Sequence, residues 1–112
     1  GGPKKVNPRK HWIAHTLKPA GSITVDSGAR TALVERRKSL LPAGVIKIEG
    51  KFDFGSAVRI LDEKKNEIAR GLVNYSSTDL DRIKGMKSAK IRGLLETGFY
   101  QEVVHRDDLV IL

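Results

Sequence analysis

The chain has 112 residues, 39% of them hydrophobic, and a formal net charge of +8 at pH 7. This length suits one small domain with a hydrophobic core and is too short for two. Cysteine is absent, which excludes a disulfide framework and a thiolate metal site, and no apolar run approaches the roughly 18 residues that span a bilayer, so we expect a cytoplasmic domain without a membrane partner.

The first ten residues, "GGPKKVNPRK", predict a basic linker or arm (1–10) ahead of one domain (11–112). They combine two prolines, two glycines and four lysine or arginine residues, and they lack the apolar centre of a secretory signal. Because the chain also lacks an initiator methionine, we expect it to be a cut or processed piece of a longer protein.

The domain is predicted to begin with extended segments. "HWIAHTL" (11–17) alternates weakly, which indicates a first strand or a packed initial segment. "KPAG" (18–21) predicts a turn, and the alternation in "SITVD" (22–26) predicts a strand.

The clearest predicted helix is "SGARTALVERRKSLL" (27–41). Asp26 or Ser27 can accept hydrogen bonds from its free N–H groups. Apolar residues at helical spacing form one face: Ala29, Ala32, Leu33 and Leu40. The helix is expected to end in "LPAG" (41–44), since proline cannot continue it.

Beyond that turn the hydrophobic period changes to two. Strands are predicted at 45–50, 57–61, 68–75, 102–105 and 109–112, with the second and third forming a hairpin. Between the first two, "KFDFGSA" (51–57) is expected to place Phe52 and Phe54 on one face.

Two short helices are predicted late in the chain, at 76–85 and 88–98. Ser76 and Asp79 match a capping box, and Gly85 is suited to end the first of them. Six to seven short, mostly antiparallel strands with short helices predict a mainly β barrel or sandwich. Its expected core comprises Leu33, Leu40, Val45, Ile48, Val58, Ile60, Ile68 and Val73.

The tripeptide His105-Arg106-Asp107 is the one that heads the catalytic loop of protein kinases. Those enzymes place a Mg²⁺-binding asparagine five residues after the aspartate, where this chain has Leu112. A turn between two strands is therefore the better interpretation. No P-loop is present, and in a strand His11 and His15 would lie roughly 13 Å apart, so we expect neither a metal site nor an enzyme in this chain alone.

The positive charge lies mainly in the first half of the chain. Residues 1–56 hold 11 lysines and arginines against 4 acidic residues, whereas residues 57–112 hold 10 against 9. This asymmetry favours a polyanionic partner such as RNA, whose phosphates could bind the free N–H groups at the start of the helix near Arg30. Basic residues expected to extend that field are Arg36, Arg37, Lys38, Lys47 and Lys51. The alternative is a solvated helix face.

Motifs in a fixed order resemble those of PUA domains, the RNA-associated module named after pseudouridine synthases and archaeosine transglycosylases. They are "D-x-G-A" at the helix start, "S-L-L-P-A-G-V" in the turn, "F-x-x-G-x-x-V" in the hairpin and "E-I-A-R-G" in the next strand. "HWIAHTLKPAG", "ARGLVNYSSTDLDRIKG" and "EVVHRDDLVIL" further resemble the C-terminal region of bacterial glutamate 5-kinases, so that the likeness covers residues 9–112.

The resemblance implies a PUA pseudobarrel in a parent enzyme, expected to be a homo-oligomer, that phosphorylates the γ-carboxylate of L-glutamate with ATP and Mg²⁺ in the first step of proline synthesis. In that family the sites for glutamate, nucleotide and proline belong to a separate upstream amino-acid-kinase domain. The resemblance therefore transfers no catalytic residue, cofactor site or metal ligand to this chain.

In PUA modules RNA lies near the helix start and the adjoining barrel edge. On this chain the corresponding residues are Asp26, Ser27, Gly28, Ala29 and Arg30, with Leu41, Pro42, Ala43 and Gly44 nearby. Gly28 is expected to be required for backbone geometry. Weak, salt-sensitive RNA binding competes with a regulatory role in the response to proline or metal and with a structural role in subunit contacts. The alternative identity is the PUA module of a protein that modifies tRNA or rRNA.

Overall fold

A mixed β-sheet forms the centre of the described part of the chain. The structure, a computed structural model, describes Ile13, residues 18–87, Lys90 and residues 102–112. Its strands and helices are β1 (Gly21–Val25), α1 (Ser27–Val34), β2 (Val45–Gly50), β3 (Ala57–Leu61), β4 (Glu67–Leu72), α2 (Ser77–Ile83) and β5 (Leu109–Ile111). Single turns of 3₁₀ helix, Pro42–Gly44 and Arg106–Asp108, precede β2 and β5.

The strands lie in the order β2-β1-β3-β4-β5. β1 and β3 are parallel, and the other neighbouring pairs are antiparallel. The mainly β, mostly antiparallel fold is thus confirmed, with five strands among the described residues. Apart from the buried Ile13, residues 11–17 lie outside the described part. Residues 102–105 were wrongly predicted as a strand, since only Val104 forms a bridge, with Leu40.

The apolar faces of the strands and helices meet in one core. Ile23, Val25, Val58 and Ile60 of the central strands are fully buried, and Leu33 of α1 belongs to the same cluster. Seven of the eight residues predicted for the core are buried, and the eighth, on β2, is partly buried against them. The removal of this apolar surface from water is the main stabilising term of such a fold.

Helix α1 is shorter than the predicted 27–41, because it ends at Val34. Arg37 then takes a left-handed backbone conformation with φ of 53°, and the Lys38 N–H donates to the Ala32 carbonyl at 3.0 Å, so the chain turns back. Leu40 is buried as predicted, but through its bridge to the C-terminal segment rather than through a helix face.

Phe52 and Phe54 do not share a face, contrary to the prediction from their spacing. Phe52 is 4% exposed and belongs to the core, whereas Phe54 is 60% exposed. Gly55 has a φ of 87°, and the Ser56 N–H donates to the Asp53 carbonyl at 3.0 Å. A tight turn therefore interrupts the alternation that an extended strand would have maintained.

The predicted helix at 76–85 is present as α2. Ser76 Oγ accepts a hydrogen bond from the Asp79 N–H at 3.2 Å, as expected for an N-cap. Gly85 follows with φ of 77°, and its N–H donates to the Pro42 carbonyl at 2.7 Å, which ties the end of α2 to the turn before β2. The helix predicted at 88–98 lies outside the described residues except for Lys90. No described helix has the length and hydropathy to cross a membrane.

Candidate functional site

An open groove of about 700 Å³ lies where three segments meet. These are the start of α1, the loop and turn that lead to β2, and the segment before β5. The described residues that line it are Asp26, Gly28, Ala29, Ala32, Lys38, Ser39, Leu40, Leu41, Ala43, Gly44, Glu102, His105 and Arg106. Seven of them were predicted from the sequence: Asp26, Gly28, Ala29, Lys38, Leu41, Ala43 and Gly44.

One wall of the groove is built by the start of α1 against the turn before β2. Asp26 caps α1 with Oδ1, which accepts a hydrogen bond from the Ala29 N–H at 2.7 Å, while its own N–H donates to the Gly44 carbonyl at 3.0 Å. A Cβ on Gly44 would lie 2.5 Å from the Cβ of Ala29. Glycine at this position therefore allows the turn to pack directly on the helix.

Gly28 does not have the special backbone role that the sequence suggested. It lies within α1, and the described glycines with positive φ are Gly50, Gly55 and Gly85. A Cβ at Gly28 would lie 3.5 Å from Asp26 Oδ1, which is ordinary van der Waals contact. The close approach at this wall depends on Gly44 instead.

The opposite wall is the segment before β5, held by hydrogen bonds to the loop after α1. The Leu40 N–H donates to the Val104 carbonyl at 2.9 Å, and the Arg106 N–H donates to Ser39 Oγ at 2.8 Å. His105 Nδ1 accepts from the Asp107 N–H at 3.0 Å and so caps a 3₁₀ turn. The His-Arg-Asp tripeptide is thus a turn leading into β5, as predicted, but the residues before it do not form a second strand.

The groove combines apolar walls with a few charged groups. Most of its surface is apolar, with three alanines and two leucines in the described lining, and Lys38 and Arg106 bring positive charge. Neither cation forms an ion pair with another described residue. Asp26 and Glu102 are the acidic residues of the described lining, and Asp26 is engaged in capping α1. Such a site suits a ligand with a flat or apolar part and a negative charge.

The N-terminus of α1 faces carboxylates of the β3–β4 turn. The Ser27 N–H donates to Glu63 Oε1 at 3.0 Å, and Arg30 Nε lies 3.8 Å from Asp62 Oδ2. The two groups expected to meet phosphate here are therefore satisfied by acidic side chains of the domain. They lie outside the lining of the groove.

The remaining predicted contacts are dispersed. Arg36 and Lys51 are exposed and do not line the groove, and Lys47 Nζ lies 3.0 Å from Glu49 Oε1 on β2. Pro42 is buried as the first residue of the 3₁₀ turn, and Arg37 lines a second cleft. No three histidine, aspartate or glutamate side chains of the described ranges come close enough to hold a metal ion.

Sequence reasoning missed six residues of the lining: Ala32, Ser39, Leu40, Glu102, His105 and Arg106. Ser39 and Arg106 are 67 residues apart, and their hydrogen bond depends on the tertiary fold. The polar "HRDD" sequence was the available signal for His105 and Arg106, because it predicts a surface turn and binding residues often lie on surface loops.

Asp62 organises the β3–β4 turn, and its ionisation is expected to make the stability of the fold depend on pH. Hydrogen bonds from the Asn66 and Lys64 N–H groups, 2.9 Å each, together with the Arg30 guanidinium, hold the pKa of Asp62 below its usual range. A lowered folded-state pKa stabilises the fold above the unfolded pKa of about 3.9, and this contribution disappears as pH falls through the folded pKa. Asp62→Asn should therefore have a lower Tm than the unsubstituted protein at pH 7, with the difference shrinking under acid.

Thermal melts across pH 2 to 7 check this expectation. Asp53→Asn is the matched control, because Asp53 is an exposed carboxylate in another turn of the same sheet. A Tm difference for Asp62→Asn that stays constant down to pH 2 would show that the charge of Asp62 contributes nothing.

Comparison with known proteins gives consistent matches. The family model for the PUA domain matches residues 21–95. Glutamate 5-kinase of Geobacter sulfurreducens is 52% identical over 111 residues, covering 99% of this chain and 30% of that protein. Glutamate 5-kinase of Dictyoglomus turgidum is 50% identical over 96% of this chain and 29% of that protein. The chain thus spans less than a third of the length of these relatives.

A solved structure matches the described fold. It is a PUA domain of Aeropyrum pernix K1 in a tartrate complex, with a TM-score of 0.56 and 26% sequence identity, covering 77% of this chain and 41% of that one. The two resemblances expected from the sequence motifs are confirmed.

Proposed function

Because this chain belongs to the PUA domain family, we propose that it is the C-terminal PUA domain of a glutamate 5-kinase. The observation that supports this most is the extent of the identity. It continues past the PUA match, through residues 96–112 and the "VVHRDDLVIL" stretch, to almost the whole chain. The parent enzyme would phosphorylate L-glutamate on its γ-carboxylate with ATP and Mg²⁺ in the cytoplasm.

The chemistry of that reaction belongs to an amino-acid-kinase domain, and the present chain is non-catalytic. The His105-Arg106-Asp107 tripeptide supports this division, because His105 Nδ1 accepts a backbone N–H and the three residues shape a turn. A catalytic aspartate would instead face a bound substrate hydroxyl.

An activity assay tests the assignment. With ATP, Mg²⁺ and L-glutamate, the chain should release no glutamate-dependent ADP, whereas the longer protein that contains it should. Turnover by the chain alone would refute its non-catalytic role. An inactive longer protein would refute the glutamate 5-kinase assignment.

The role of the domain itself is to bind RNA in the groove, with weak and salt-sensitive affinity. The supporting observation is the combination of apolar walls with Lys38 and Arg106 at one open site of adequate size. An unpaired base can rest on apolar side chains while cations contact its phosphates. With Lys38 and Arg106 as the described cations of the lining, the slope of log K against log salt should be about −1.4, so the affinity should fall roughly sevenfold between 50 and 200 mM salt.

Titration of tRNA and of a random-sequence RNA at the two salt concentrations tests this role. Micromolar or weaker binding that fades with salt is the expected result. Tight, sequence-dependent binding at physiological salt would favour the module of an RNA-modifying protein. Absence of binding at low salt would leave the regulatory role within the kinase as the better proposal.

A further inference from the structure

A second cleft of about 350 Å³ adjoins the groove. Its described lining comprises Arg37, Arg106, Asp107 and the three residues of β5, Leu109–Ile111. Arg106 lines both cavities, so the two are adjacent at this residue.

The two arginines of the cleft come from distant parts of the chain and are held by the backbone. Arg37 occupies the left-handed position that turns the chain after α1, with the next N–H bonded to the Ala32 carbonyl at 3.0 Å. The Arg106 N–H is bonded to Ser39 Oγ at 2.8 Å. Neither arginine forms an ion pair with another residue of the described ranges.

We propose that single-stranded RNA bound in the groove continues across Arg106 into this cleft, where Arg37 contacts a second phosphate. The inference rests on the proposed RNA-binding function and extends it. Guanidinium groups match phosphate oxygens with paired N–H donors, and the apolar β5 residues provide a surface for a sugar or base. Asp107, whose side chain is 75% exposed, opposes the phosphate at the rim.

Binding of short and long oligouridylates by fluorescence anisotropy at low salt tests the path. Oligomers of about three nucleotides should occupy the groove alone, and those of about ten nucleotides should reach the cleft. Arg37→Ala should lower the affinity for the long oligomer roughly three- to tenfold and reduce the slope of its log K against log salt by about 0.7. It should leave the affinity for the short oligomer unchanged. Arg106→Ala should lower the affinity for both oligomers, and Asp107→Asn should raise the affinity for the long oligomer.

Arg59→Ala is the matched control, because Arg59 is an exposed arginine on β3 that lines neither cavity. Arg37→Gly guards against a folding defect, since glycine favours the left-handed conformation at this position. Arg37→Gly should show the same loss of affinity for the long oligomer as Arg37→Ala.

The outcomes separate the two proposals. If Lys38→Ala and Arg106→Ala weaken binding while both Arg37 variants leave the long oligomer unaffected, the groove binds RNA and the path into the cleft is wrong. If the unsubstituted chain binds neither oligomer, the RNA-binding function fails and the path fails with it.

Discussion

Gly44→Ala is expected to lower the free energy of unfolding by roughly 1–3 kcal/mol and to deform the groove, because its Cβ would lie 2.5 Å from the Cβ of Ala29. Neither atom is on a flexible side chain, so the turn before β2 must move away from α1. The hydrogen bond from the Asp26 N–H to the Gly44 carbonyl would be strained by the same movement. Urea denaturation measures the loss of stability, and RNA titration measures whether the deformed groove has lost affinity for RNA.

Two variants serve as controls for this prediction. Gly28→Ala adds the same methyl group to the same wall with ordinary contacts, so its stability should change by at most about 1 kcal/mol, in the favourable direction. Ala29→Gly combined with Gly44→Ala should recover part of the loss, since it removes the atom that the new methyl group meets. Equal destabilisation by the two glycine substitutions, or no recovery in the double variant, would contradict this packing.

Leu33→Ala is expected to cost about 2–5 kcal/mol and to abolish binding in the groove. Within α1, whose residues are all described, only Leu33 is fully buried. Truncation leaves a cavity at the contact that holds α1 against the sheet, and the start of α1 forms one wall of the groove.

The matched variant is Leu80→Ala, which removes an equally buried leucine from α2. No residue of α2 lines the groove, so this variant should lose similar stability and keep its RNA affinity at temperatures where it is folded. RNA titration at a temperature below both melting transitions compares the two. Retained affinity in Leu33→Ala would show that α1 does not shape the binding surface.

Local patterns predicted the strands of the described hairpin and both helix starts, because each depends on nearby residues. Alternation identified β3 and β4, and the caps at Asp26 and Ser76 follow from side chains that bond N–H groups three residues ahead. The end of α1 could not be found this way. Its helical pattern continues to residue 41, but the pairing of Leu40 with Val104 draws the chain into an extended bridge.

The same limit applies to the candidate site. The resemblance to PUA domains had placed the start of α1 and the turn around Gly44 near each other, and both line the groove. The second wall, with His105 and Arg106, requires a contact between segments 67 residues apart. The carboxylates of the β3–β4 turn that contact the helix terminus near Arg30 come from a distant part of the sequence, so local patterns could not indicate them.

The proposed RNA-binding surface of this PUA domain is the groove between α1 and the segment before β5. Titration of the ¹⁵N-labelled chain with oligouridylate at low salt, followed by amide chemical shifts, tests it most directly. Saturable shifts concentrated at Ala29, Lys38, Gly44, His105 and Arg106 are the expected result. Shifts spread over exposed lysines elsewhere, such as Lys18, Lys64 and Lys87, with these five unchanged, would contradict it.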